Sequence, residues 1–263
     1  ALFNELHTRP FPVLATPSRL SHLVLLADPA QPGAEYQHLL RLCERHAVLP
    51  PSAQSSCYYQ DFGGFELRWE RHTEFSTYTL LSKQSDSEPF LANALRLLPA
   101  DWLNELPGQL LSCNHLEIHP APASEPSPDD MRRHFEGQRL ISAEVSDGQA
   151  RLWSAYRIHS DGCGRLLIHN RSLNPCQTGR LMRSLLEMET YRMMLLLALP
   201  QAKAMAPQLK AMERQLATAI QQINQIQNLA DERHLLGELG SLAAGIEQLI
   251  ATHNYRFSAT QIG

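Results

Sequence analysis

The chain is predicted to fold as α+β: a ferredoxin-like βαββαβ unit, a three-stranded antiparallel meander, then a long helix and a helical hairpin or coiled-coil arm. Three observations predict it. Up to residue 119, short apolar or alternating runs and helical spacings follow one another as strand, helix, strand, strand, helix, strand, with one small extra strand before the hairpin. Residues 138–170 hold three strand-like runs separated by Asp147-Gly148 and Asp161-Gly162, dipeptides that turn hairpins. From residue 209 onward apolar side chains recur at alternating steps of three and four, the spacing of helices that pair.

Taken in order, residues 4–17 carry Pro10, Pro12 and Pro17 and read as an extended lead-in anchored by Phe11 and Leu14. Residues 20–27 are nearly all apolar, as a central strand requires. Asp28-Pro29 and Pro32-Gly33 turn the chain into a helix over 34–48 whose apolar face is Tyr36, Leu39, Leu40, Cys43 and Ala47. Residues 56–60 make the small extra strand. Strands over 65–72 and 75–83 follow; in the first, Phe65, Leu67 and Trp69 alternate with charged residues, one face in and one out. A helix over 88–105 is expected to bend at Pro99 and restart with Asp101 as N-cap, and residues 109–119 form the next strand.

Residues 120–128, rich in proline, read as a stiff polar linker inside a head domain of residues 1–200. After the meander, Asn174 caps a helix that starts at Pro175. The stretch 181–200 is the centre of the predicted fold. Apolar groups surround it, so Tyr191 and Leu195 are expected to be buried, and Glu189 should form a buried charge pair with Arg192, or Glu187 a pair with Arg183. Residues 201–263 form the helical arm. Its seam runs Leu209, Met212, Leu216, Ala219, Ile223, Ile226, breaks phase near Asp231 and resumes at Leu235. That phase break favours a hairpin over a single rod. Such a seam implies a homo-oligomer or a partner protein.

The 263 residues carry a net charge of −4 and no basic run, which leaves nucleic-acid binding without support. The five cysteines are odd in number, scattered and never spaced Cys-x-x-Cys, an argument for a reducing compartment and against a disulfide framework or zinc knuckle. The first twelve residues lack the pattern of a secretory signal. No stretch approaches the roughly 20 apolar residues of a membrane span.

Six strings stand out together: Asn4-Glu-Leu-His-Thr-Arg-Pro, Trp69-Glu-Arg-His-Thr-Glu-Phe, His134-Phe-Glu-Gly, Arg157-Ile-His-Ser-Asp-Gly-Cys-Gly-Arg, Glu187-Met-Glu-Thr-Tyr-Arg-Met-Met-Leu-Leu-Leu-Ala-Leu-Pro and Arg256-Phe-Ser-Ala-Thr. In this order they resemble the bacterial family of predicted membrane-anchored proteins of unknown function, over essentially the whole chain. The resemblance implies further helix and two membrane spans beyond residue 263. It also implies an address at the bacterial inner membrane, with this portion cytoplasmic. It brings no catalytic residues with it.

Two constellations could carry chemistry. Arg68, Glu70, Arg71, His72 and Glu74 crowd one hairpin, where a histidine beside carboxylates suits a general base and arginines suit an anion or partner. His115, Glu117 and His119 alternate along a strand and so share one face, a donor set for a divalent metal such as Zn²⁺ or Fe²⁺. His159, Asp161 and Cys163 crowd a turn that needs Asp-Gly for its own geometry. Phosphate-loop, dinucleotide, nucleophile-elbow and zinc-protease strings are absent from the sequence, and it identifies no cofactor. The expected function is a scaffold, sensor or regulatory binding module that assembles through its helices. The alternatives are an enzyme at one of these constellations, or an accessory of a membrane transport system.

Overall fold

The computed structural model describes residues 12–82 and 88–262. The first of the six strings, the anchor Phe11 and the strand end at Lys83 lie outside the described residues. The chain divides into two compact units, Ala1–Glu187 and Met188–Gly263.

The first unit is built on one eight-stranded sheet of β1 (Ser18–Leu26), β2 (Cys57–Asp61), β3 (Glu66–Arg71), β4 (Phe75–Ser82), β5 (Gln109–Pro120), β6 (Ile141–Val145), β7 (Ala150–Ser154) and β8 (Gly164–Asn170). The spatial order is β2-β3-β4-β1-β5-β8-β7-β6. Within it, β3-β4-β1-β5 is wholly antiparallel and forms the ferredoxin-like core, with β2 added at the edge. The apolar run of β1 earns its interior place by being buried along nearly its whole length. The meander continues the same sheet: β8 pairs parallel to β5, and β7 and β6 follow antiparallel.

Alternation along the strands gives the sheet two faces. On the first face, Leu23, Leu67, Trp69 and Tyr78 pack with α1 (Ala34–Arg45), a 3-10 turn at Ala94–Leu97 and α2 (Ala100–Asn104). Further along that face, Trp153 and Leu167 pack with Met131 of α3 (Pro128–Arg132) and with Phe135. On the second face, Leu20, Leu116, Ile118 and Ile168 pack against Met182, Leu185 and Leu186 of α4 (Pro175–Leu196). Asn174 and Gln177 cap α4 reciprocally: the Gln177 N–H donates to Asn174 Oδ1 at 3.0 Å, and the Asn174 N–H donates to Gln177 Oε1 at 2.9 Å.

Local details depart from the sequence reading. In β3 two of the charged residues do not face water: Arg68 is 4 % and Glu70 8 % exposed, and the two side chains pair with each other. Residues 88–93 are not helical. The chain forms only the 3-10 turn and α2, whose N-cap is Pro99, so Asp101 sits in the first turn and binds Arg45 at the surface. The 120–128 segment is docked, not free, because Glu125 pairs with Arg151 of the meander. Tyr191 and Leu195 are 44 % and 37 % exposed, not buried. The buried residues of this helix are Thr178, Gly179, Met182, Leu185, Leu186, Glu189, Thr190 and Met194, so it does not bury its whole circumference.

The second unit holds α5 (Ala198–Ile223) and α6 (Leu229–Ile262), which pack together as a helical hairpin. The break between α4 and α5 falls at Leu197, three residues before Pro200. Pro200 has no N–H for the carbonyl of Leu196 and its ring would clash there. The hairpin turns earlier than the phase break at Asp231. Asn228 Oδ1 accepts from the N–H groups of Ala230 and Asp231 at 2.9 and 3.0 Å, and Asp231 accepts from the Gln227 N–H at 3.1 Å. Among the described residues no helix is long and apolar enough to cross a membrane.

Candidate functional site

Register places Arg19 beside Glu117 and Ser21 beside His115 across β1 and β5, and Arg165 beside His115 across β5 and β8. All project from the first face, between its two apolar clusters. The result is a buried polar seam: Arg19, Ser21, His115, Glu117 and His159 are all buried. Charge at such depth must be compensated by close partners.

The Glu117 carboxylate accepts from Arg19 Nε at 3.1 Å and from the Phe90 N–H at 3.0 Å, and His119 Nε2 lies 2.8 Å from its second oxygen. Residues 88–93 abandon helical geometry at the point where the Phe90 amide reaches that carboxylate. Arg165 donates to the His134 carbonyl at 2.9 Å, to Glu136 at 3.2 Å and to Asp161 at 3.2 Å, with its guanidinium over the Phe90 ring. Glu136 also accepts from the Ser160 N–H at 3.0 Å. The seam therefore ties residues 88–94, 133–136 and 159–163 to the centre of the sheet.

His115 is one of the groups left out of this mutual satisfaction, together with both ring nitrogens of His159 and with Arg165 Nε. Its Nδ1 lies 2.8 Å from Ser21 Oγ, which also accepts from the Ala94 N–H at 3.2 Å. Its Nε2 is buried and has no hydrogen-bond partner; the Asp161 Oδ2 atom stands 3.7 Å away. Burial pushes the His115 pKa down to about 4, partly opposed by the charge of Asp161. Burial likewise lowers His134 and His159, each helped by a neighbouring arginine. For Asp161, burial works against ionisation, but the Cys163 N–H, His115 and Arg165 together hold its carboxyl below the usual range.

At the edge of the seam Cys113 and Cys163 form a disulfide, with Cα atoms 4.6 Å apart. This corrects the inference drawn from scattered cysteines. The two lie 50 residues apart, and only the parallel β5–β8 pairing brings them together. Their sulfurs and a ring nitrogen of His115 all lie within 4.8 Å of one another.

The predicted site residues are redistributed. Of His115, Glu117 and His119, Glu117 and His119 bind each other, whereas His115 turns to Ser21 and Asp161. The hairpin cluster divides. Arg68 and Glu70 pair on the second face, near His22, whose pKa burial lowers to about 3 with help from Arg68 and His72. Arg71 stands on the first face, bound to Glu35 at 2.8 Å, and His72 stacks on Phe75. Arg71 and His72 border a cavity of about 270 Å³ beside the start of α1; the Glu74 carbonyl accepts from the Ala27 N–H. Glu189 is buried and binds Arg192 at 2.6 Å, while Arg192 itself is half exposed; Arg183 binds Glu187 at 2.7 Å. The sequence reading missed Arg165 and Glu136 and took Asp161 and Cys163 as turn residues. The dense string from Arg157 to Arg165 was the available signal.

Fold and site together define an α+β protein on a mixed sheet whose charged chemistry is held inside, between two apolar clusters. The chain belongs to the family described as protein of unknown function (DUF3422), which it matches over residues 1–262. No curated protein and no solved structure matches it.

Proposed function

We propose that the chain is a regulatory binding module: a sensor head joined in one chain to a helical element for assembly. The observation that carries this reading is the buried seam, which holds three separate segments on the sheet through charged groups and one disulfide. Glu117, buried against Arg19, also holds the Phe90 amide, and Arg165 holds both Glu136 and Asp161. A change in the charge or bonding of the seam therefore has leverage over whether residues 88–94, 133–136 and 159–163 stay docked. That is the behaviour of a sensor, and those surface segments are what a partner would read. The resemblance of the six sequence strings supports adding membrane anchorage, through segments beyond residue 263, to this reading.

Hydrogen exchange of the intact chain, before and after reduction of the disulfide, tests the sensor. The expected result is faster exchange in the three tied segments with β1 and β4 unchanged. Equal exchange in all three segments before and after reduction would remove the sensor reading.

A further inference from the structure

We propose that, once the disulfide is reduced, Cys113, Cys163, His115 and Asp161 bind one divalent metal ion of the zinc type, so that disulfide and metal are mutually exclusive states of one site. The proposal rests on the sensor reading and names what the seam senses. Two thiolates, an imidazole and a carboxylate are a tetrahedral zinc donor set. Zinc bonds of about 2.0–2.3 Å place neighbouring donors roughly 3.3–3.8 Å apart. His115 Nε2 and Asp161 Oδ2 stand 3.7 Å apart, too far to hydrogen-bond and within that range. The two sulfurs and a His115 ring nitrogen lie within 4.8 Å of one another. The Asp161 carboxylate stands outside that three-residue group and swings in from its place beside His115, while breaking the disulfide frees the two sulfurs to separate.

The surroundings of His115 fit a ligand. Ser21 Oγ has lone pairs for both the Ala94 N–H and His115 Nδ1–H. In the metal-bound state the ring proton sits on Nδ1 and is donated to Ser21 Oγ, the role that outer partners of metal-bound histidines play. That leaves the Nε2 lone pair, 3.7 Å from Asp161 Oδ2, for the metal. Arg165, 3.2 Å from Asp161, offsets the single negative charge that zinc leaves on two thiolates and a carboxylate.

The chemistry balances. A dithiol delivers two electrons and two protons to the Cys113–Cys163 bond and closes to its own disulfide. Zinc then replaces the two thiol protons, which pass to solvent. In reverse, a small disulfide takes the electron pair from the two thiolates and leaves as two thiolates, while the protein S–S bond forms and zinc is released.

The test uses the whole chain, reduced with a phosphine that ends as the phosphine oxide, desalted, and titrated with cobalt(II) and then zinc. One cobalt per chain is expected, with a sulfur-to-cobalt charge-transfer band and the intense visible absorption of tetrahedral cobalt, displaced by zinc. Oxidised chain should give neither. Cys163→Ser and Asp161→Asn should weaken binding, and Ser21→Ala should weaken it by about 10–100-fold while keeping the spectrum. Cys176→Ser, at an exposed free cysteine, should change nothing. Far-UV circular dichroism checks each fold; Asp161→Asn serves if the cysteine variant does not fold. Absence of stoichiometric cobalt in the reduced chain, or binding unaffected by Cys163→Ser and Asp161→Asn, would overturn the proposal. If reduction loosens the three segments but no metal binds, the zinc site fails and the sensor stands. If metal binds while exchange is unmoved by reduction, the zinc site stands and the sensor reading fails.

Discussion

His38 has no exposed surface; it stacks on Trp102 at 4.1 Å and meets Tyr78 edge-on at 6.4 Å. Its Nδ1 accepts from Arg41 Nη2 at 2.9 Å, since a guanidinium only donates. Burial, and then the charge of Arg41, pushes its pKa from 6.5 to about 4, against a weaker pull from the backbone at Trp102. The folded pKa is thus the lower one, and the unfolded chain takes up the proton first. The stability that His38 contributes is complete above about pH 6.5 and is lost as pH falls towards 4. The thermal midpoint should drop across that window, and His38→Gln should make the drop shallower. It should not abolish it, because His22 and His169 are lowered in the same way, to about 3 and about 4. An undiminished drop in the variant would clear His38 of the effect. Helical spacing predicted the neighbours Leu39 and Cys43 as core. The burial of His38 was not legible, because Trp102, the residue that covers it, lies far along the chain.

At the scale of elements, the capped start of α4 was readable from Asn174 and Pro175, both local signals. The contact that makes Gly179 necessary was not. A Cβ there would stand 2.3 Å from the Pro12 carbonyl oxygen, where the lead-in crosses the helix and the Leu14 N–H donates to the Pro175 carbonyl at 3.1 Å. In an isolated helix Gly179→Ala would add about 1 kcal/mol of helix propensity. In this protein the lead-in backbone must give way, and overpacking of that kind costs about 1–3 kcal/mol. The expected net result is a lower thermal midpoint and faster hydrogen exchange at Leu14; a raised midpoint would show that the crossing has room. The predicted helix over 88–105 is broken at Pro99 as expected, but its first six residues are not helical, for a related reason. Its pattern was helical, but the Phe90 amide is drawn to a carboxylate on β5.

For the whole molecule, the helical hairpin covers one stripe of each helix and leaves another open. Ala219 and Leu235 are buried, whereas Ile220 and Ile223 are 54 % and 51 % exposed, in line with Leu209 and Leu216. An apolar stripe of this kind is costly in water and is the basis for proposing an assembly element. Sedimentation equilibrium should therefore find the chain larger than a monomer, and Ile220→Glu with Ile223→Glu should return it to monomer with unchanged helicity. A monomeric parent chain would remove the assembly reading.

What the sequence determined alone is whatever depends on local spacing: the α+β class, the strand order of the ferredoxin-like unit, the Asp-Gly turns and the seam of the arm. Periodicity of two or of three and four is a property of neighbours along the chain, so it is visible without a structure. The tertiary structure decided the parallel pairing of β5 with β8. From that one pairing follow the meeting of Cys113 with Cys163 and the approach of Asp161 to His115. Those contacts join residues tens of positions apart, and no local pattern encodes which distant strand closes the gap. The same reason explains why Arg68 and Glu70, polar by alternation, lie buried: alternation assigns a residue to a face, but only packing decides whether that face meets water.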